Sequence, residues 1–275
     1  MNSTSLKQIT PVVLTFNEEV NLRRNLDSLP WAERIVIVDS GSTDQTEAIA
    51  QSYSNVTWHT RAFDSFRQQW EHAIHQTDIT TESVLALDAD MTVSAKLLEE
   101  IVGAFRRGNY DGGLMPIDYR YYGRSLAGSI CPPQIRIFRR DAVKVTQLNH
   151  GHKFEVGGPV YRFRNRLIHD DRKSLERWIE SQLRYQKENE TELRNGHRGR
   201  ARDYARRLGL MPPIIGLLAY LRAGGPFKGA AAARYAYERM TSESILAVRL
   251  LDARLRRTEV GGQRSEVRDQ DDRIS

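Results

Sequence analysis

The sequence predicts an α/β fold: a mostly parallel sheet flanked by helices, with a C-terminal helical extension. Three observations carry this expectation. From residue 9 to residue 105, β-branched runs alternate with stretches whose apolar residues recur at helical spacing. The runs end in clusters of hydroxyl and carboxylate residues. Beyond residue 111 the pattern changes, first to short alternating runs rich in glycine and tyrosine, then to arginine-rich helical segments. Strand–helix alternation of this kind builds parallel sheets covered on both faces, which bind ligands beyond the carboxyl ends of their strands.

Ile9 to Thr15 reads as the first buried strand. Asn17 is a suitable N-cap, Glu18 and Glu19 fall in a first helical turn, and Leu22, Leu26 and Leu29 follow at helical spacing. Ile35 to Val38 is a second strand, ending at Asp39 and the turn Ser40-Gly41-Ser42-Thr43. Ser42 with Gln45 predicts a capping box for a helix carrying Ile49 and Tyr53. Asn55 to His59 is a short third strand. Ser65 to Gln76 is a helix with Phe66, Trp70, Ala73 and Ile74 on one face. Ser83 to Leu87 is a fourth strand, running into Asp88-Ala89-Asp90, and Ser94 caps a helix through Leu97, Leu98, Ile101 and Phe105. Gln134 to Phe138 and Val160 to Phe163 read as antiparallel strands, and Arg172 to Glu192 as a helix. Residues 1–192 are therefore expected to form the main α/β domain, the catalytic one if the chain is an enzyme, and residues 193–257 a basic and apolar helical extension. Within the extension the apolar segment Leu208 to Leu221 is broken by Pro212-Pro213. Residues 258–275 are expected to be a disordered tail.

The 275 residues suffice for one domain with an appendage and a core that needs no staples. An apolar fraction of 40% and a charged fraction of 28% describe a folded, water-soluble chain. The formal net charge of +6 suits nucleic acid, anionic lipid or phosphorylated substrates and does not choose among them. The single cysteine, Cys131, excludes an internal disulfide framework and a Cys-based zinc site. No basic start is followed by an apolar run, so no signal peptide is expected. No run of about 18 apolar residues occurs, so no transmembrane helix is expected either.

Asp88 and Asp90 are the centre of the functional reading. Two carboxylates one residue apart at a strand end are able to share a hard divalent cation, which in turn bridges diphosphate oxygens. The same spacing at Asp269 and Asp271 lies in a polar tail and receives no role; only the first pair follows an apolar strand. The structural alternative for Asp88 and Asp90 is turn capping. Asp39 is placed to accept from a base N–H or ribose hydroxyls, or else caps its own turn and the helix behind it. Glu18 is a donor-site candidate, or else a favourable charge at a helix N-terminus. Arg67, Arg136 and Lys153 are candidates for diphosphate or acceptor contacts, with solvated or structural roles as the alternative. His150 and His152, near Gly151, read as a flexible acceptor loop.

Thr15-Phe16-Asn17-Glu18-Glu19, the run Ile35 to Asp44 and Leu87-Asp88-Ala89-Asp90, in that order, resemble the family 2 glycosyltransferases, whose fold is GT-A. The resemblance is firm over about the first 110 residues. A looser likeness to lipopolysaccharide core glucosyltransferases continues through Gly123-Arg124, Pro133-Gln134-Ile135-Arg136, His169 to Asp171 and Phe227-Lys228-Gly229. It implies that Thr15, Glu18, Asp39 and Asp88 contact a UDP-sugar donor and that Asp90, with Asp88, holds Mn²⁺ or Mg²⁺. It further implies inverting transfer, in which a carboxylate takes the acceptor proton. Asp171 is the expected base and Asp170 the rival; the alternative is that adjacent acids before a helix merely cap it. This pair departs from the commoner Glu-Asp base motif. Ser174-Leu175-Glu176-Arg177-Trp178 partly resembles the Gln-x-x-Arg-Trp signature of processive synthases. With the Gln replaced and membrane spans absent, single transfer is expected, and Trp178 reads as a core residue.

Six arginines (Arg194, Arg198, Arg200, Arg202, Arg206 and Arg207) precede Leu208 to Tyr220, a segment too short to span a bilayer but suited to an interfacial anchor on anionic lipid. The alternative is that it packs on the catalytic domain. The expected partners are thus a nucleotide-sugar donor, a glycan or glycolipid acceptor and an anionic membrane surface, not nucleic acid. The expected location is cytoplasmic, peripheral on the inner face of the cell membrane. A nucleotidyltransferase is the rival enzyme, disfavoured because Thr15-Phe16-Asn17-Glu18-Glu19 stands where a Gly-rich phosphate loop would be. A dehydrogenase lacks its Gly-x-Gly-x-x-Gly. A non-catalytic basic membrane adaptor is the rival outside enzymes.

Overall fold

The computed structural model describes residues 8–105, 109–148, 151–194 and 201–271. The chain divides into two units, Met1–Ser174 and Leu175–Ser275, so the division falls before the helix that the sequence reading had assigned to the catalytic domain.

The first unit opens with β1 (Ile9–Thr15), α1 (Leu22–Asp27), β2 (Ile35–Asp39), α2 (Thr46–Gln51), β3 (Val56–Thr60), α3 (Phe66–His75), β4 (Ser83–Asp88), β5 (Met91–Thr92) and α4 (Ala95–Phe105). It continues with β6 (Gly112–Met115), β7 (Ile117–Tyr121), β8 (Arg124–Ser125), β9 (Gln134–Arg139), β10 (Val143–Leu148), β11 (Gly151–Val156), β12 (Val160–Arg162) and β13 (Leu167–His169). Among the described residues the main sheet is seven-stranded, in the order β12-β6-β9-β4-β1-β2-β3. β4, β1, β2 and β3 run parallel, while β9 is antiparallel to both of its neighbours. β12 pairs parallel with β6, against the antiparallel expectation, because the chain crosses over instead of turning back as a hairpin.

The period of two along each strand sorts the core. Val12, Val36, Val38, Val84 and Ala86 face Trp70, Ala73 and Ile74 of α3, together with Val145 and Phe154 of the β10–β11 hairpin. Val13, Ile35, Ile37, Leu85 and Leu87 face Leu22 and Leu26 of α1 and Leu97 and Ile101 of α4. Both faces are buried, which is why the strands read as unbroken apolar runs. Ser65 and Ser94 cap α3 and precede α4 as expected, accepting from Gln68 N and Leu97 N.

Two expected caps are used otherwise. Asn17 adopts φ 53°, a left-handed turn that asparagine tolerates, and α1 starts only at Leu22. Ser42 turns toward Asp39, and Asp44 instead accepts from Thr46 N at the start of α2.

The second unit contains α5 (Leu175–Arg194), α6 (Ala201–Arg207), α7 (Met211–Arg222), a 3-10 turn at Gly225–Lys228 and α8 (Gly229–Asp271). Pro212 and Pro213 do not break the apolar segment. They sit in the first turn of α7, where backbone N–H groups have no intrahelical partner to lose. α8 runs on through the segment expected to be a disordered tail as far as Asp271. Trp178 is partly buried, short of a core position.

Candidate functional site

Parallel pairing sets three polar strand ends side by side: Thr15 opposite Asp39, and Leu14 opposite Asp88. Thr15 Oγ1 donates to Asp39 Oδ1 at 2.8 Å. Asp39, 2% exposed, also accepts from Ser42 Oγ and from the backbone N–H groups of Gly41 and Ser42. Asn17 ties this turn to the end of β1, its N–H donating to Ser42 Oγ and its Oδ1 accepting from Thr43 N at 2.7 Å each. Asp39 thus organises its own turn through three bonds and takes a fourth from Thr15 on β1, so it caps the turn, while Asp44 and not Asp39 accepts from the start of the following helix.

Asp88 ends β4, and its backbone is held by Asn25 of α1, whose Nδ2 donates to Asp88 O and Met91 O. The carboxylate takes Arg136 NH2 at 3.0 Å. Arg136, 5% exposed on β9, is aimed by Gln134 Oε1. Burial works against the Asp88 charge, but Arg136, His152 and His169 together hold its pKa below the ordinary carboxylate range. Arg67 and Lys153 are not brought here; each forms an exposed ion pair, with Glu71 and Glu155. His150 lies outside the described residues. His152 is no loop residue: it lies in β11 with its ring centroid 5.4 Å from Trp70 and 4.8 Å from Phe154.

Asp90 is the less satisfied partner of the pair. Its Oδ1 is buried and accepts no hydrogen bond among the described residues, and its Oδ2 lies 3.4 Å from His169 Nε2. His169 is brought there by β13, which pairs antiparallel with β5. Burial, opposed by His169 and reinforced by Asp88 and Asp171, raises the Asp90 pKa. A buried anionic oxygen without a donor is costly and fits a cation. Among the described residues no cluster of three or more His, Cys, Asp or Glu side chains is arranged to hold a metal. A cation at Asp90, with His169 beside it, would therefore draw its remaining ligands from the donor or water.

Residues 170–173 close the cluster. Asp170, 3% exposed, accepts at Oδ2 from Arg24, Arg172 and the Gly123 N–H. Asp171 Oδ1 accepts from Asn21 Nδ2 at 2.8 Å and from Lys173 N at 3.0 Å, leaving Oδ2 without a hydrogen bond among the described residues. Against the cost of burial, Lys173 and Asn21 keep the Asp171 pKa below its usual value. Lys173 Nζ donates to Glu18 Oε1, and Asn21 Nδ2 to Glu18 Oε2. Burial, with a contribution from Asp90 and against Lys173, pushes the Glu18 carboxyl up to about 7. Sequence reasoning named both acids of this quartet, Glu18 and Asp171, and missed Asn21 and Lys173. The available signal was a lone amide before α1 and a lysine two positions after an expected base.

The model of glycosyl transferase family 2 matches residues 11–163. The chain belongs to glycosyl transferase family 2. The family 2 match spans the ends of β1, β2 and β4, while His169, Asp170, Asp171 and Lys173 lie beyond it. A crystal structure of residues 1–349 of S. aureus TarS in complex with UDP-GlcNAc superimposes with a TM-score of 0.50 at 16% identity, covering 86% of this chain and 90% of that one. The fold is thus GT-A, as the motifs led one to expect. The lipopolysaccharide core biosynthesis glycosyltransferase LpsC of Rhizobium meliloti (strain 1021) is 44% identical over 50 residues. That match spans only 18% of this chain and 18% of LpsC.

Proposed function

We propose that this family 2 chain is an inverting, non-processive glycosyltransferase that moves a sugar from a UDP-sugar onto a membrane-associated glycan. A lipopolysaccharide core is the acceptor we favour. The observation that carries the reading is Asp90: a buried carboxylate oxygen without a donor, at a parallel strand tip, beside His169 and near the half-anchored carboxylate of Asp171. The TarS complex, by its title a UDP-GlcNAc complex, supports the donor class through fold alone. The name of LpsC supports the acceptor class through its short match.

In this reading Asp90, with His169 beside it, would hold Mn²⁺ or Mg²⁺, which when bound would supply positive charge to the diphosphate leaving group. Arg136 holds Asp88 ionised at the edge of the same site. Asp171 faces the acceptor with Oδ2. The acceptor oxygen forms its bond to the anomeric carbon as the bond from that carbon to the diphosphate breaks, and Asp171 takes the hydroxyl proton. The buried, doubly guanidinium-bound Asp170 fits the role of a positioning group for this segment. In this reading the chain works at the cytoplasmic face of the membrane; separately, no helix among the described residues is long and apolar enough to cross one.

The test is transfer from UDP-sugars with Mn²⁺, the product anomer read by NMR. Wild type should transfer with inversion, stop on chelation and recover with Mn²⁺. Asp90→Ala should lose on the order of a hundredfold or more in rate. Transfer unaffected by chelation and by Asp90→Ala would remove the metal role, and product of retained configuration would remove the displacement.

A further inference from the structure

The second unit contains a helix that is inside out. In α7 the residues turned inward are Met211, Gly216 and Ala219, with Ala223 next after its end. A Cβ added at Gly216 would lie 3.3 Å from Met240 Cβ, so it is smallness that lets α7 approach α8. The large apolar residues are turned outward instead: Ile214 is 51% exposed, Leu217 62%, Leu218 40% and Leu221 62%. Their spacing of three, one and three places them on a single face. Leu210 before the helix is 51% exposed, and Phe227 in the following 3-10 turn is 95% exposed. A soluble helix buries this stripe and shows its small or polar residues; α7 does the reverse.

Charge selects the occupant. From Tyr204 to Tyr237 there is no acidic residue, while Arg222 and Lys228 stand exposed, each next in sequence to an outward apolar residue, Leu221 and Phe227. Twelve helical residues measure about 18 Å, too short to cross a bilayer and long enough to lie along one. The arginines upstream contribute less than their number implies. Arg206 is paired with Glu243, Arg207 donates to Leu193 O and Arg194 pairs with Glu190. Arg198 and Arg200 lie outside the described residues.

We infer that the outward stripe of α7, with Phe227, inserts into the headgroup and acyl boundary of a lipid leaflet, so that burial of leucine and phenylalanine supplies most of the binding and the exposed cations add to it. This inference rests on the membrane reading proposed above and specifies which face and which force.

The experiment is flotation of the full chain with vesicles of phosphatidylcholine, alone or mixed with phosphatidylglycerol, at low and high salt, with mass followed by light scattering. Wild type should float with the mixed vesicles and keep most of its binding at high salt. Leu217→Gln combined with Leu221→Gln, both exposed and therefore compatible with folding, should weaken partitioning by about tenfold or more. Arg222→Gln combined with Lys228→Gln should weaken it less, by several fold. Wild type that floats with neither vesicle overturns both the membrane reading and the inference. Binding abolished by salt and by the Arg222 and Lys228 changes but untouched by the leucine changes overturns the inference alone. A stable dimer that the leucine changes dissociate, without vesicle binding, assigns the stripe to a second copy and also overturns it.

Discussion

Asn21 Nδ2 donates to Asp171 Oδ1 at 2.8 Å across 150 positions of sequence. The same carboxamide donates to Glu18 Oε2, and its oxygen accepts from Arg24 NH2 and from Arg172 N. Asn21 is fully buried, so each of these bonds is made in a low-dielectric setting where an unmade one is expensive. An aspartate here would offer acceptors to two carboxylates, and a leucine would offer them nothing. The start of α1 is thereby locked to the 170–173 segment.

Asn21→Ala should therefore act on rate more than on donor binding. Loss of the donor that favours ionised Asp171 raises its pKa, so the rising limb of the pH–rate profile moves to higher pH. The rate on the plateau should fall by roughly 10–100-fold, the range usual for groups that orient a reactive side chain. Steady-state kinetics against pH check both. An increase in donor KM alone, with an unmoved limb, would contradict the role given to this bond.

Lys173 is the resident positive charge among Glu18, Asp90 and Asp171; burial opposes its charge, but those carboxylates raise its pKa. The Glu18 carboxyl has an ordinary value of 4.5 and is pushed up to about 7 in the fold, chiefly by burial. Its contribution to stability is therefore full below pH 4.5 and is lost as pH rises through about 7. Lys173→Met removes the cation that restrains this shift. It should destabilise the protein by about 3–5 kcal/mol in mildly alkaline buffer, where a buried carboxylate is left unpaired, and by much less in mildly acidic buffer. Thermal unfolding of both proteins across that range measures the difference, and an equal loss at every pH would argue against it.

The main sheet was legible because its information is local. Val12, Val36, Val38 and Val84 announce strands by β-branching, and their polar tips announce the ligand edge through the topology of parallel sheets. The position of Asp88 and Asp90 at a strand tip was legible for the same reason: two acids follow directly on an apolar strand. The caps were harder. Asn17 and Ser42 have the composition of caps, but their side chains are spent on joining two strand-end loops, a contact that no spacing within one segment reveals. Lys173 was illegible because its meaning depends on Glu18, 155 positions away. Pro212 and Pro213 were misread as a break because proline signals both a helix interruption and a first turn, and only the packing of Met211, Gly216 and Ala219 decides between them.

His152 should produce the opposite pH dependence to Glu18. Burial, aided by the Arg136 charge and opposed by Asp88, depresses its pKa from 6.5 to about 4. The unfolded chain then takes up a proton on acidification before the folded one does, so stability present above pH 6.5 is lost as pH falls toward 4. His152→Phe keeps the contact with Trp70 and Phe154 and removes the proton site. Its unfolding temperature should fall less than that of wild type between those two pH values. Parallel curves for the two proteins would mean that other groups carry the acid sensitivity.

Asp170 and Asp171 are neighbours in sequence with different surroundings, and two isosteric changes separate their roles. Asp170 Oδ2 gathers Arg24, Arg172 and the Gly123 N–H, so Asp170→Asn leaves two guanidinium groups without a countercharge. The expected result is a loss of stability of about 1–3 kcal/mol, below the usual cost of breaking a fully buried pair because both arginines are partly exposed, with the remaining folded enzyme still able to transfer. Asp171→Asn keeps an acceptor for Asn21 and Lys173 N but removes the proposed base, so stability should change little while the transfer rate drops by about 10²–10⁴-fold, the usual contribution of general base catalysis. The second readout is the pH–rate profile. The limb reporting the base should vanish in Asp171→Asn and persist in Asp170→Asn, because Asp170 is 3% exposed with two guanidinium groups on Oδ2, whereas Asp171 is only partly buried. If the limb instead persists in Asp171→Asn and vanishes in Asp170→Asn, the base is Asp170, and the arginines around it serve catalysis rather than folding.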